Sequence, residues 1–151
     1  MEHDGPTALV LSRQAIPVCT DGSAVVTGAA VIGAVANPTV VLVGTGSEVA
    51  VCVEAAAQLA ADGIAAQVVS MPSWDRFEAQ PDTYRAGVFP AGVPVLSVEA
   101  GVTFGWAKYA DRSVGIDRFG ASAPGNVVMD KLGINVANVV AHATALANGT
   151  E

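Results

Sequence analysis

Thr39-Val40-Val41-Leu42-Val43-Gly44-Thr45-Gly46-Ser47-Glu48 is the stretch that leaves this chain the fewest folds to adopt. Its first five residues are apolar or β-branched without alternation, the pattern of a strand covered on both faces. Gly44-Thr45-Gly46 then turns the chain, and Ser47 suits a helix N-cap. Glu48 falls in the first helical turn, where the helix dipole favours negative charge. Val49, Cys52, Val53, Ala56 and Leu59 recur at helical spacing. Asp62-Gly63 supplies the stop, with Gly63 at the C′ position. Ala65 to Ser70 reads as a second apolar strand. Strand, helix and strand over about 30 residues form a βαβ unit, which predicts parallel strands and a right-handed crossover.

The remainder of the chain continues the alternation. Thr7 to Ser12 is an apolar run of strand length, ending on Arg13-Gln14. Met1 to Pro6 is polar and irregular, and Ala15 to Ser23 reads as loop. A short strand is expected around Ala30 to Ile32 within a Val- and Gly-rich segment. Met71-Pro72 stops the strand that ends at Ser70. Ser73 is positioned to cap a helix over Trp74 to Ala79, and Pro81 to start another over Asp82 to Val88. Val93 to Val98 is a further strand, shortened by Pro94. A brief helix over Phe104 to Tyr109 and a strand over Ser113 to Ile116 follow. A helix opens at Pro124 or Gly125 and runs to Leu132. Asn135 caps the last helix, whose apolar positions are Val136, Val139, Val140, Ala143 and Leu146, and Asn148 to Glu151 should fray. The expectation is an α/β fold: a three-layer α/β/α single domain with a mainly parallel, roughly five-stranded sheet.

Composition excludes several classes of function. The chain has 151 residues, a net charge of −7 and no basic cluster, so it lacks the footprint that nucleic-acid binding requires. An acidic membrane surface is excluded by the same charge. Only 14% of residues are charged, against about 25% in soluble domains generally, which suggests a surface partly covered by a partner. Cys19 and Cys52 form no CxxC pair, and His3 and His142 lie far from both, so no zinc spacing exists. The N-terminus has no signal-peptide pattern, and no apolar run reaches the ~20 residues of a membrane span. A cytoplasmic protein is expected.

Five candidate features remain. Gly44-Thr45-Gly46-Ser47-Glu48-Val49 resembles the start of a GxGxxG fingerprint, but Val49 replaces the third glycine and no acid ends the second strand. It reads first as a tight βα turn and second as an anion or nucleotide site. Arg13 has the fork geometry for a phosphate or carboxylate, or for an ordinary surface ion pair. Glu99 follows an apolar strand, where open α/β sheets place ligands; the simpler reading is a carboxylate capping the Gly101-Val102-Thr103 turn. Asp117 and Arg118 are expected to pair with each other or with neighbours. Trp74, Phe77, Trp106 and Tyr109 suit either the ends of the core or a contact surface. With two histidines near the chain ends and no paired carboxylates evident, the residues compose no complete active site.

Leu11-Ser12-Arg13-Gln14, Gly44 to Val49, Val69-Ser70-Met71-Pro72-Ser73, Phe77, Tyr84-Arg85, Val98-Glu99-Ala100-Gly101, Trp106, Lys108-Tyr109 and Phe119-Gly120-Ala121-Ser122-Ala123-Pro124 occur in this order. As an ordered set they resemble the C-terminal domain of transketolase over nearly the whole chain. The resemblance implies a role in an enzyme that moves a two-carbon ketol unit between sugar phosphates in the pentose phosphate pathway. It implies thiamine diphosphate and a divalent cation, Mg, held by two further domains across a homodimer interface. Neither the diphosphate-binding Gly-Asp-Gly motif nor the pyrimidine-binding domain is present, and His3 and His142 match none of the family's catalytic histidines. Residues 1–14 would be the end of the junction from the pyrimidine-binding domain, and 15–151 the C-terminal domain. Arg13 is the one residue that inherits a role, contact with the substrate's phosphate within a complete enzyme. Ala15, and Gly28-Ala29-Ala30-Val31 in place of Gly-Gly-Tyr-Val, depart from the family pattern near that junction. The chain is expected to be a fragment or truncated product, inactive alone and structural or dimer-supporting. The alternative from the residues is a stand-alone anion- or nucleotide-binding module or a self-associating scaffold.

Overall fold

The computed structural model describes residues 4–150. The elements in order are α1 (Ser23–Thr27), β1 (Ala30–Ile32), β2 (Val40–Gly44), α2 (Glu48–Ala61), β3 (Ala66–Ser70), α3 (Trp74–Glu78), α4 (Asp82–Val88), β4 (Val95–Val98), a 3-10 turn (Trp106–Lys108), β5 (Arg112–Val114), α5 (Gly125–Lys131) and α6 (Val136–Ala147). One sheet holds the strands in the order β1-β3-β2-β4-β5. The β2–β3, β2–β4 and β4–β5 pairs are parallel, as the βαβ pattern predicts. β1 is the antiparallel exception, with Ala30 opposite Ser70 and Ile32 opposite Val68. It ends near the edge where β2 begins, so the short stretch 33–39 needs to pass only the end of β3. A parallel β1 would have required a crossover of a dozen residues or more.

The central strand explains the two cores. Val40 and Leu42 face one side, where they meet Cys52, Ala55 and Leu59 of α2 and Val139 and Ala143 of α6. Val41 and Val43 face the other, against Met71, Phe77, Val88 and Trp106. Each of these β2 side chains is fully buried, contributing about 1.5–3 kcal/mol for a Val or Leu. The layers are therefore helix, sheet, helix. The small side chains of Cys52 and Ala55 allow α2 to sit close to the sheet. At Gly44 an added Cβ would lie 3.3 Å from Cys52 Sγ and 3.3 Å from the Val49 nitrogen.

Several local expectations are corrected. Thr7 to Ser12 forms no strand; it is an exposed strap, with Val10 94% accessible. An apolar run makes a strand only when a neighbour takes its backbone hydrogen bonds, and no described strand lies beside it. α1 lies where only a Val-rich segment was read, since five residues carry no usable periodicity. Ser47 occupies the N-cap position but is itself helical and makes no side-chain cap; Ser73 makes none either. Asn135 does cap, accepting from the Asn138 nitrogen at 2.9 Å. The last helix does not fray after Ala147. Thr150 N donates to Ala145 O and Gly149 N to Leu146 O, a Schellman closure on the left-handed Gly149. α2 ends the same way at Gly63, with Ile64 N donating to Leu59 O. Met1 to His3 and Glu151 lie outside the described residues.

Candidate functional site

Parallel register aligns the C-terminal ends of three strands, with Gly44 beside both Ser70 and Val98. The turns that follow are Gly44-Thr45-Gly46, Met71-Pro72 and Glu99-Ala100-Gly101, and they emerge together. Thr45, Met71, Pro72, Trp74, Glu99, Gly101, Val102 and Trp106 line an open hollow of about 350 Å³ there. Sequence placed Glu99 and the glycine turn separately; the sheet brings them to one edge.

The electrostatics of this edge are negative. Glu48 is buried at the start of α2, and Ser47 Oγ donates to its Oε1 at 2.6 Å. Glu99 is half-buried, and its carboxyl sits above the usual range because burial, then the Glu48 charge, disfavours ionisation. Burial, with a smaller contribution from Glu48, also pushes the Cys52 thiol well up. Glu48 occupies the positive end of the α2 dipole, where a phosphate would otherwise bind, and Glu99 lines the hollow beside it. A diphosphate would meet like charge in this hollow, so these residues do not fit thiamine diphosphate.

Glu99 does not cap the turn that follows it. That work is done by Asp117, which accepts from Thr103 N and Thr103 Oγ1, both at 2.8 Å. These bonds hold the Asp117 carboxyl below its ordinary range, the backbone donor contributing most. Asp117 therefore pairs with Thr103 rather than with Arg118, whose Nε donates to the Phe119 carbonyl at 3.4 Å. The clamp joins the loops after β4 and β5, together with Ile116 N donating to Gly101 O at 2.7 Å. It leaves Phe104 and Phe119 91% and 95% exposed.

The aromatic residues fill the end of the second core. Trp106 and Phe77 are buried, and Trp74 stands edge-on to Trp106 and Tyr109 with centroids at 5.1 and 5.2 Å. A polar network that sequence reasoning missed borders them. Glu78 Oε1 accepts from Tyr109 OH at 2.5 Å and lies 3.1 Å from Lys108 Nζ. Glu78 Oε2 lies 3.4 Å from Arg85 NH1, and Arg85 NH2 reaches Asp82 Oδ1 at 2.5 Å. The Tyr109 bond, then Lys108, holds the Glu78 carboxyl below its usual range. These residues tie α3, α4 and the 3-10 turn together. Their chemistry is structural: each charge already has a partner. The available signal was the recurrence of Tyr84-Arg85 and Lys108-Tyr109 in the ordered set of motifs.

Arg13 lies on the exposed strap, and no ion pair with a described acid is formed by it. The strap reaches the sheet edge at Ser12, whose Oγ lies 2.7 Å from the position of a Cβ on Gly46. Cys19 and Thr20, at the far end of the strap, line a second cavity of about 240 Å³ with Ser70 and Ile32. His142 lies on α6. Among the described residues no three His, Cys, Asp or Glu side chains are grouped to hold a metal ion. Among the described residues no helix is long and apolar enough to cross a membrane.

The arrangement, an α/β domain with an open hollow at the C-terminal edge of its sheet, is similar to known proteins. The family described as "Transketolase-like TK C-terminal domain" matches residues 28–135. The transketolase of Bacillus subtilis is 46% identical over 156 residues, an alignment that takes in 96% of this chain and 23% of that protein. Transketolase 1 of Saccharomyces cerevisiae is 50% identical over 120 residues, covering 78% of this chain and 18% of that one. The solved transketolase of Leishmania mexicana superposes with a TM-score of 0.84 at 46% identity, over 87% of this chain and 20% of that one. The chain thus spans about a quarter of the length of these relatives or less. Over most of its own length, this chain belongs to the transketolase family, as its C-terminal domain.

Proposed function

We propose that this chain serves a transketolase that transfers a two-carbon ketol unit between sugar phosphates in the pentose phosphate pathway, and that alone it is inactive. In this reading the diphosphate- and pyrimidine-binding domains supply thiamine diphosphate and Mg, and the domain described above supports their homodimer. Residues 1–14 form the junction to the pyrimidine-binding domain, residues 15–151 the C-terminal domain, and the assembly is cytoplasmic. Arg13 binds the phosphate of the sugar substrate. The observation that carries the reading is the strap: Leu9, Val10 and Leu11 are exposed although apolar, and Arg13 beside them is open to an anionic ligand. An apolar strip that its own domain leaves uncovered favours burial against another domain.

The test combines the purified chain with separately prepared diphosphate- and pyrimidine-binding domains, thiamine diphosphate and Mg. The chain alone should give no ketol transfer, and the reconstituted complex should. Arg13→Ala in that complex should raise KM for a sugar phosphate by roughly 10–100-fold, the worth of a charge-assisted contact. Turnover by the chain alone, free of host enzyme, would sink the proposal.

A second reading, a stand-alone module, draws on the same exposed surface together with Phe104 and Phe119. Its anion-binding form is disfavoured by Glu48 and Glu99 beside the Gly44–Gly46 turn. Its self-associating form predicts concentration-dependent oligomers of the isolated chain. Monomeric elution at high concentration would remove it.

A further inference from the structure

We infer that Asn148-Gly149 is a site of spontaneous covalent modification, deamidation to an aspartate or isoaspartate, which the C-terminal closure of α6 guards and whose product loosens that closure.

Among the asparagines this position stands apart. The chain has five of them; Asn126, Asn135 and Asn138 precede Val, Asn37 precedes Pro, and Asn148 precedes Gly. Deamidation begins when the backbone nitrogen of the next residue attacks the asparagine side-chain carbon. Proline has no N–H to give up, and a β-branched neighbour crowds the approach. Gly149 offers an N–H and no side chain in the way. In the step, the Gly149 nitrogen loses its proton to base and bonds to Asn148 Cγ, and Nδ2 leaves as ammonia. Water then opens the five-membered imide at either carbonyl. One opening gives an aspartate; the other gives an isoaspartate, with the main chain routed through the former side chain.

The fold holds the reacting groups back. Asn148 is exposed, so solvent reaches its amide freely. The attacking nitrogen is engaged, because Gly149 N donates to Leu146 O at 3.1 Å. Asn148 N donates to Thr144 O at 3.1 Å, which keeps its backbone at φ −89° and ψ 0°. Beyond the glycine, Thr150 N and Thr150 Oγ1 both donate to Ala145 O, at 2.9 and 3.1 Å. The Gly149 nitrogen turns onto Cγ only after this closure opens, so the reaction runs through local unfolding of the last turn. The product then works against the closure. It places a carboxylate at the negative end of the α6 dipole, and the last turn of α6 has no basic residue to offset it. Leu146 and Ala147, in that same turn, pack against the first core, so the loosening reaches the edge of the core.

Mass spectrometry of the 151-residue chain, incubated at mildly alkaline pH in buffer and in urea, tests the guard. The readout is amide-to-acid conversion in the peptide holding Asn148, with the peptide holding the exposed Asn126 as internal control. Isomerisation at the Asp-Gly pairs changes no mass and does not interfere. Conversion at Asn148 should be ~10-fold or more slower in the folded chain than in urea, the ratio set by opening of the turn. Thr150→Val removes the hydroxyl bond to Ala145 O and should speed the folded-state reaction by about twofold or more, with no change in urea. Asn148→Asp, the direct product, should speed hydrogen exchange of the Gly149 and Thr150 amides by about 2–5-fold. Conversion in urea no faster at Asn148 than at Asn126 overturns the site. Equal rates in buffer and urea overturn the guard, and a folded Thr150→Val chain reacting at the wild-type rate removes Thr150 from it. Unchanged exchange in Asn148→Asp overturns the loosening by the product.

Discussion

At the scale of residues, the informative groups are those whose charge is out of place. Glu99 carries a carboxylate into a half-buried position facing a second acid, Glu48. Its pKa in the folded chain lies above the ordinary 4.5, so the native state disfavours the ionised form. The stability contribution is therefore fully present below about pH 4.5 and is lost as pH rises through the folded pKa. Glu99→Gln should stabilise the chain at pH 7 by up to ~1 kcal/mol after solvent screening, with the gain disappearing near pH 4. Urea unfolding at the two pH values reads this, and an unchanged midpoint at pH 7 would contradict it. The cysteines differ in the same way. Cys52 is buried with its thiol pKa pushed up, whereas Cys19 is partly accessible. A thiol reagent should titrate Cys19 in the native chain and Cys52 only after denaturation; native reaction of both would show that the first core opens readily. The βαβ reading anticipated a buried Cys52 because it falls on the apolar stripe of a long helix. It placed Glu48 in the first turn of the helix but carried no information on its burial, which the structure shows.

At the scale of elements, Gly28 shows how two short helices depend on a missing side chain. A Cβ there would lie 2.2 Å from the Phe77 nitrogen and 2.4 Å from the Ser73 carbonyl oxygen, with φ at +87°. The glycine lets the end of α1 lie against the backbone of α3, and Ser73 N donates to Gly28 O at 3.1 Å. Gly63→Ala should cost only the left-handed backbone strain, about 1–2 kcal/mol. Gly28→Ala should cost more than ~4 kcal/mol, the range of a severe steric conflict, and leave much of the chain unfolded. Thermal melts followed by circular dichroism compare them; equal losses would show that the α1–α3 contact yields. The long elements were legible because their patterns repeat: β2 is uniformly apolar, and α2 and α6 show three or more apolar turns. α1, the strap and the clamp at Asp117 were not, since each depends on a partner distant in sequence.

At the scale of the whole molecule, the sheet is finished and the surface is not. Two cores cover both faces of β2, while Val10, Leu11, Val18, Phe104 and Phe119 remain exposed. Replacing Val10 and Leu11 by Ser should leave the melting temperature of the isolated chain within about 2 °C, because exposed side chains away from special features change stability little. On the proposed docking of the strap, the same variant should lose most of its affinity for the pyrimidine-binding domain in sedimentation or calorimetry. A large drop in melting temperature would mean the strap belongs to this domain's own core. By itself the sequence determined the layered α/β fold, the parallel centre of the sheet and the ordered motifs that mark the family. These follow from local periodicity, turn chemistry and residue identity, which neighbouring residues specify together. Tertiary structure alone decided that the apolar run at Leu9–Leu11 stays outside the sheet. It also decided that Asp117 rather than Glu99 holds the Thr103 turn, and that Gly46 lies beneath Ser12. Each of those outcomes rests on a contact between segments far apart in the chain, which no local pattern encodes.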